Sequence, residues 1–154
     1  MCMSIETVVL AVGSEDGKRV ERLAEEIISV AEPADAEVVL THVFDREEFD
    51  ETSAKLGFEP ESESSTPDAI AERHTTTRKL SEALSEAGVR HSVRGAVGDL
   101  ADEVVETAEG LEADRVVVGG RHRSPTGKAV FGSVAQEVML SAPCPVTFVR
   151  ESAS

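Results

Sequence analysis

Basic residues are scarce in this chain, which has 15 Lys and Arg against 30 Asp and Glu and a formal net charge of -15. A surface this acidic repels nucleic acid and anionic membranes, which excludes both as binding partners. Disorder is another state that such a charge suggests, but 40% of the residues are apolar and they recur periodically. We interpret the excess of carboxylates as an adaptation to high salt, typical of a halophilic protein, with a merely acidic domain as the alternative.

Cysteine and long apolar runs are also rare. Cys2 and Cys144 stand at opposite ends of the chain, so we expect no disulfide, and two single cysteines are typical of a reducing compartment. No apolar run approaches the length of about 18 residues that a membrane span needs, and no charged-then-apolar leader begins the chain. We therefore expect a cytoplasmic protein, and residues 1–154 are the size of one domain.

What the chain does have is a regular alternation of two patterns. Apolar, often β-branched runs predict buried strands, and apolar residues at helical spacing predict helices between them. The order β-α-β-α-β-α-β-α-β predicts an α/β fold, a three-layer α/β/α sandwich around a five-stranded parallel sheet of Rossmann-like type with right-handed crossovers. The predicted strands are residues 8–12, 38–43, 89–96, 115–118 and 146–149.

Residues 46–66 interrupt this alternation with polar, acidic and serine-rich sequence. We predict a surface insertion there, mobile in part, which Phe49, Leu56 and Phe58 would hold against the fold. A helix is then predicted from Pro67, a favoured first-turn residue, to Ala87. The earlier helix is predicted to stop at Pro33, and a later helix at Gly110. The segment 89–96 alternates more than the other strands, which indicates a position near an edge of the sheet.

Function in such sheets is found at the carboxyl ends of strands, where the strand order reverses. The loop after the fourth strand, GGRHRSPTGKAVFGS (Gly119–Ser133), looks like a phosphate-binding loop. A P-loop needs Gly, four residues, then Gly-Lys and a hydroxyl residue, but His122 and Ala129 stand at two of these positions. A dinucleotide fingerprint lacks its glycines after the first strand. A phospho-acceptor domain is excluded too, because Glu15-Asp16 match its acidic pair poorly and no Lys follows the last strand.

The spacing of this loop resembles the signature of the universal stress protein family, which reads Gly, two residues, Gly, nine residues, Gly and then Ser or Thr. Gly119 takes the first position and Gly132-Ser133 the last two. The runs Ala142–Val146, Leu40–Val43 and Val97–Asp99 also match, so the resemblance covers nearly the whole chain. It implies the adenine nucleotide alpha hydrolase-like fold and ATP, with Mg²⁺, as the possible ligand. The nucleotide-binding positions that it implies are Val12, Gly13, Ser14, Val43, Val118, Gly119, Gly120, Arg121, His122, Arg123, Lys128, Gly132, Ser133 and Val134.

The signature is degenerate at two positions. His122 replaces the second glycine, and Val12-Gly13-Ser14 lacks the Asp that ATP-binding members carry at the end of the first strand. Family members that bind no ATP lack parts of the signature in the same way. The imidazole of His122 either contacts the nucleotide or blocks part of the pocket.

The charge pattern around this loop favours an anion site. Residues 115–136 contain no Asp or Glu but do contain Arg121, Arg123 and Lys128. The free N–H groups of a helix that begins near Gly132-Ser133 would point at a phosphate, and these cations would surround it. The alternative is structural, because buried strand ends and dimer surfaces also avoid carboxylates.

Two functions follow from the resemblance. The first is a stress-response regulator that binds ATP as a signal and does not act as an enzyme beyond slow hydrolysis, because no general base is evident. The alternative is a structural or regulatory dimer of the same fold without nucleotide, and a third reading, adenylate-forming enzyme chemistry, has no motif. Either leading function implies a homodimer, since the last strand is expected at an edge where Val146 and Phe148 would be buried by the partner.

Overall fold

The computed structural model describes residues 5–57, 66–120 and 133–150. In these ranges the chain forms a five-stranded parallel sheet of strand order β3-β2-β1-β4-β5, which confirms the predicted fold class. The order reverses between β1 and β4. The strands are β1 (Thr7–Val12), β2 (Glu37–Phe44), β3 (His91–Val97), β4 (Arg115–Gly120) and β5 (Val146–Arg150).

Helices cover both faces of the sheet. A 3₁₀ helix (Ser14–Arg19) connects β1 to the first of six α-helices. They are α1 (Val20–Ala34), α2 (Arg46–Lys55), α3 (Pro67–Arg73), α4 (Thr75–Glu86), α5 (Leu100–Leu111) and α6 (Ser133–Ser141).

The two faces of β1 carry the two main cores. Val8, Leu10 and Val12 pack toward α1 and α4, while Val9 and Ala11 pack toward α5 and α6. Each of these five side chains is at most 3% exposed, because the central strand of a parallel sheet is covered on both faces. This burial explains why β1 is an unbroken apolar run and not an alternating one.

Two helix ends differ from the prediction. Pro33 does not stop α1, which continues to Ala34 and ends where Asp35 takes a left-handed conformation (φ 53°). Pro33 lacks the N–H that would bond to the carbonyl of Ser29, but it stands one residue before the end of α1, so the helix loses one hydrogen bond and still ends close to the predicted position. Likewise α5 continues past Gly110 to Leu111, and Glu112 is the left-handed residue (φ 52°). The N–H groups of both capping residues bond back to helix carbonyls, which is what a C-terminal cap requires.

The helix predicted over 67–87 is in fact two helices, separated at His74. His74 is extended (φ -68°, ψ 138°), and its Nδ1 accepts the N–H of Thr76 at 3.3 Å, so this side chain caps α4. The break allows α3 to pack on β3 while α4 packs on α1. The predicted end at Ala87 is close to the observed one, since α4 ends at Glu86 and Gly88 has φ +73° just beyond it.

Part of the acidic insertion is helical. Asp45 accepts the N–H of Glu48 at 2.7 Å and so begins α2, whose Phe49 is 7% exposed against Phe44 and Ile70. Leu56 packs on the same cluster, so two of the three predicted anchors hold the segment. Phe58 lies outside the described residues, and the mobility of residues 46–66 stays a prediction.

Strands β3 and β5 form the two edges, as predicted for both. The β3 edge is covered by α3, because the Gly95 N–H donates to Asp68 Oδ1 at 2.8 Å. The approach is so close that a Cβ on Gly95 would lie 1.9 Å from the carbonyl oxygen of Pro67. Only glycine allows this contact, which explains a glycine in the middle of a strand.

Candidate functional site

The carboxyl ends of β1 and β4 lie side by side, and they bring together most of the described site residues. Leu10 pairs with Val117, so the chain leaves the sheet at Gly13 and at Gly120 next to each other. Gly13 is buried, and Gly119 and Gly120 are half-buried. This is the crevice that the reversal of strand order predicts.

Three of the four valines of the predicted site turn their side chains into the core. Val12 is fully buried toward α1, while Val43 (4% exposed) and Val118 (2%) pack toward α5 and α6. Their side chains are therefore not available to a ligand, and only the backbone at these strand ends is. Val134 at the start of α6 is half-buried against the same core as Val118.

The rest of the predicted site falls on the connection between β4 and α6. Arg121, His122, Arg123, Lys128 and Gly132 lie outside the described residues, so their roles stay predictions. The backbone is described at Ser14, which begins the 3₁₀ helix, and at Ser133, which begins α6. Ser133 is the first described residue after that connection and is helical, while the predicted start of the helix at Gly132-Ser133 stays a prediction.

A buried ion pair at this crevice was missed by the sequence reasoning. Asp16 is 5% exposed and Arg19 is 6% exposed, and Arg19 Nη1 donates to Asp16 Oδ1. The other carboxylate oxygen, Oδ2, accepts the Gly13 N–H at 2.7 Å. The signal was present, because an Asp three residues after a strand-ending glycine fits the first turn of a helix.

The same ion pair also reaches β4. A Cβ on Gly119 would lie 2.8 Å from Arg19 Cδ and 2.9 Å from Asp16 Oδ1. The pair therefore spans the two strand ends and needs a glycine at the first signature position. Asp16 places a carboxylate beside the end of β1, where the Asp that ATP-binding members carry is missing. This carboxylate is already bonded to Arg19 and to the Gly13 N–H.

Two histidines meet beside the crevice, on the face of β2 that packs toward α4. His42 pairs in register with Val12 and is 1% exposed. Its ring stacks on Phe44 with centroids 4.2 Å apart, and the His74 ring lies at 4.4 Å. Within the described part of the chain, neither ring nitrogen of His42 has a hydrogen-bond partner.

Burial decides the charge state of this pair. Desolvation, with a smaller contribution from His74, lowers the pKa of His42 to about 3, and desolvation also lowers the pKa of His74. Both rings are therefore neutral at neutral pH. The sequence alone did not show that these two rings meet.

The His42→Leu variant tests this burial through the pH dependence of stability. The folded pKa lies below the unfolded value, so the unfolded state binds more protons and stability falls as pH falls from about 6.5 toward 3. For the wild type, His42 should remove about 2 kcal/mol of the free energy of unfolding between pH 7 and pH 5. Urea unfolding at both pH values should show a loss smaller by that amount in His42→Leu. Equal losses in the two proteins would contradict a buried neutral His42.

An exposed group of carboxylates lies near the start of α5, whose first residue, Leu100, comes close to Gly13. Oxygens of Asp99, Asp102 and Glu137, on α5 and α6, come within 4.8 Å of one another. Repulsion among such groups contributes, after desolvation, to a raised pKa at the neighbouring Glu103. No other group of three metal-ligating residues occurs in the described ranges, and exposed acidic groups of this kind are common without a metal.

The whole sequence decides the family of the protein. Residues 4–150 match the model of the universal stress protein family. The chain belongs to this family. A universal stress protein from Methanocaldococcus jannaschii is 31% identical over 128 residues, 83% of this chain and 73% of that protein. A second, from Mycolicibacterium smegmatis, is 40% identical over 68 residues, 44% of this chain and only about half (52%) of that relative.

Solved universal stress proteins have the same architecture. One from Archaeoglobus fulgidus superposes with a TM-score of 0.63 at 27% identity and covers 96% of this chain and 100% of its own. A universal stress protein in complex with cAMP has a TM-score of 0.65 at 21% identity over 97% of this chain and 99% of its own. An Archaeoglobus fulgidus protein in complex with dAMP has a TM-score of 0.55 at 22% identity, over 97% and 100%. None of the described helices of this universal stress protein has the length and apolar character that a membrane crossing requires.

Proposed function

We propose that this universal stress protein is a cytoplasmic, nucleotide-binding regulator that acts as a homodimer and not as an enzyme. The observation that carries the proposal is the crevice at the carboxyl ends of β1 and β4, where the strand order reverses. The family members crystallised with cAMP and dAMP support an adenine nucleotide as the ligand class. ATP is the nucleotide that the signature favours.

Backbone atoms would do most of the recognition in this crevice. The side chains of Val12, Val43 and Val118 face the core, so a base would meet the N–H and C=O groups of these strand ends. The phosphates would lie at the N-terminal end of α6, where first-turn N–H groups would face them. Arg121, Arg123 and Lys128 would supply the positive charge.

The residues at this site give little support for hydrolysis of the nucleotide. Asp16 is the buried carboxylate at the crevice, and its oxygens are engaged by Arg19 and by the Gly13 N–H. Residues 115–136 contain no carboxylate either, so Mg²⁺ would be held mainly through the phosphates. A general base with a free lone pair is what an efficient hydrolase needs.

The first experiment is to denature the purified protein and assay the released material for ATP, AMP and cAMP. Thermal unfolding with added nucleotide at molar salt is the second measurement. ATP at about 100 times its dissociation constant stabilises the folded state by about 2.7 kcal/mol, which raises Tm by roughly 5–10 °C for this size. If nothing is released and millimolar ATP leaves Tm unchanged, the nucleotide proposal fails.

Two variants separate a signature site from non-specific binding. His122→Gly should tighten ATP binding if the imidazole obstructs the pocket, because the family signature has glycine there. Gly132→Val should abolish binding without unfolding the protein, since the side chain would occupy the space beside the phosphates.

The second candidate is a dimer of the same fold that binds no nucleotide. The Asp16–Arg19 pair favours it, because the carboxylate beside β1 is already neutralised by a guanidinium. Val12, where ATP-binding members carry Asp, favours it as well. ATP release from the denatured protein decides between the two functions.

Both candidate functions include a homodimer, which would form through the edge strand β5. This strand pairs with β4 on one side only in the described sheet, and its Val146 and Phe148 are half-buried. Leu140 on the adjacent α6 is 79% exposed, which leaves apolar surface near the same edge. Gel filtration at molar salt should give a dimer, and Phe148→Ser should shift it toward monomer with unchanged circular dichroism. A wild-type monomer would contradict the proposal.

A further inference from the structure

A second cavity, separate from the crevice between β1 and β4, opens beside the first turn of α1. Its volume is about 440 Å³, within the range of small-molecule sites. The charged residues that line it come from the 3₁₀ helix, α1 and α4. They are Lys18, Arg19, Arg22 and Lys79, with Glu21 and Glu25.

Among the charged residues that line this cavity, the ratio of basic to acidic groups is the reverse of the ratio in the whole chain. The chain has twice as many carboxylates as basic groups, whereas the cavity lining has twice as many basic groups as carboxylates. On a molecule with a net charge of -15, a surface of this sign collects anions that the rest of the surface repels.

The basic groups of this cavity differ in their present partners. Arg19 lines the cavity, but its guanidinium is paired with Asp16. Arg22 forms an exposed pair with Glu26 at 3.4 Å, and side chains in such weak pairs exchange readily for a better anion. Lys79 is exposed on α4, so it approaches the cavity from a different helix than Arg22.

The N-terminus of α1 adds to the positive electrostatic potential at this cavity. The residue before this helix, Arg19, makes no side-chain hydrogen bond to the first-turn N–H groups. The positive end of a 15-residue helix therefore lies at the cavity that Arg22 and Lys79 line. Two cations from different helices and a helix dipole converge on one concave surface.

We propose that this cavity binds the phosphate group of a small phosphorylated molecule, with Arg22 and Lys79 as its principal cationic contacts. None of the predicted nucleotide-binding residues lines this cavity, although Arg19, which pairs with Asp16 at the nucleotide crevice, does. Binding weakens as ionic strength rises, since both cations are exposed to solvent.

The test uses pyrophosphate as the probe and isothermal titration of the full chain. The variant is Arg22→Gln/Lys79→Gln. The matched control is Arg46→Gln/Lys55→Gln on α2, which removes the same two charges and also breaks an exposed i,i+4 pair, Arg46–Asp50. The variant should weaken pyrophosphate binding about tenfold or more, and the control should leave it within about twofold of the wild type.

Two results would overturn the proposal: no pyrophosphate binding by the wild type at the lowest salt that keeps it folded, or equal affinity in the wild type and in Arg22→Gln/Lys79→Gln. ATP titration of the same proteins keeps the two sites apart. If pyrophosphate binding is lost in the variant while ATP binding persists, both proposals stand. If ATP never binds and pyrophosphate does, only the nucleotide proposal fails.

Discussion

Replacing Asp16 with Asn should lower the free energy of unfolding by about 3–5 kcal/mol, the typical cost of removing one partner from a buried ion pair. The variant keeps the size of the side chain but leaves the Arg19 guanidinium buried without its carboxylate. It also exchanges a charged acceptor of the Gly13 N–H for a neutral one. Chemical unfolding at molar salt measures the loss.

Asp50→Asn is the matched control for this change. Asp50 pairs with Arg46 at 3.6 Å, but its side chain is 62% exposed, and exposed pairs contribute about 0–1 kcal/mol. The two substitutions are chemically identical, so the difference between them reports burial alone. A loss under about 1 kcal/mol in Asp16→Asn would mean that water reaches the ion pair, contrary to its burial.

Gly95→Ala should destabilise the fold by about 3 kcal/mol or more, at the upper end of overpacking in a core. The new Cβ would lie 1.9 Å from the Pro67 oxygen and 2.3 Å from its carbonyl carbon. Both contacts are with backbone, so no side chain can rotate away, and α3 has to move off β3. Thermal unfolding and loss of the Asp68 hydrogen bond, seen as faster amide exchange at Gly95, would report this movement.

Gly110→Ala is the control for a glycine without such a contact. Gly110 lies inside α5, and a Cβ there meets nothing within 4 Å. Alanine in a helix is favoured over glycine by about 0.5–1 kcal/mol, so this variant should be slightly more stable than the wild type. Equal destabilisation of both variants would contradict the close approach of α3 to β3.

The sheet was predictable because each strand carries its own signal. β-branched runs and regular helix spacing identify buried parallel strands without any long-range information. The break at His74 was not predictable in this way, because it depends on α3 reaching Gly95, which lies far along the chain. The end of α1 was predicted slightly too early, because proline was read as the stop, whereas the helix takes in Pro33 and ends at the left-handed Asp35.

The site was predictable in position and less so in detail. Strand-end glycines and the reversal of strand order identify the crevice, and the structure has Gly13 and Gly119 there. The direction of the Val43 side chain and the meeting of His42 with His74 follow from strand register, which a single sequence does not reveal. The Asp16–Arg19 pair could have been predicted, because the two residues are only three positions apart in the sequence.

The packing of α3 on β3 limits the ways in which copies of this chain can associate through their sheets. A parallel sheet with two unpaired edges could add strands from other copies at either edge and grow into a continuous sheet. At high salt the charge repulsion between acidic surfaces is screened and gives little protection against such association. Here the Gly95 N–H of one edge is already bonded to Asp68, and the Pro67 backbone packs against the same point, so a strand added at that edge would have to displace α3. Growth is therefore favoured at the other side of the sheet, where two copies that meet would occupy each other's free edge.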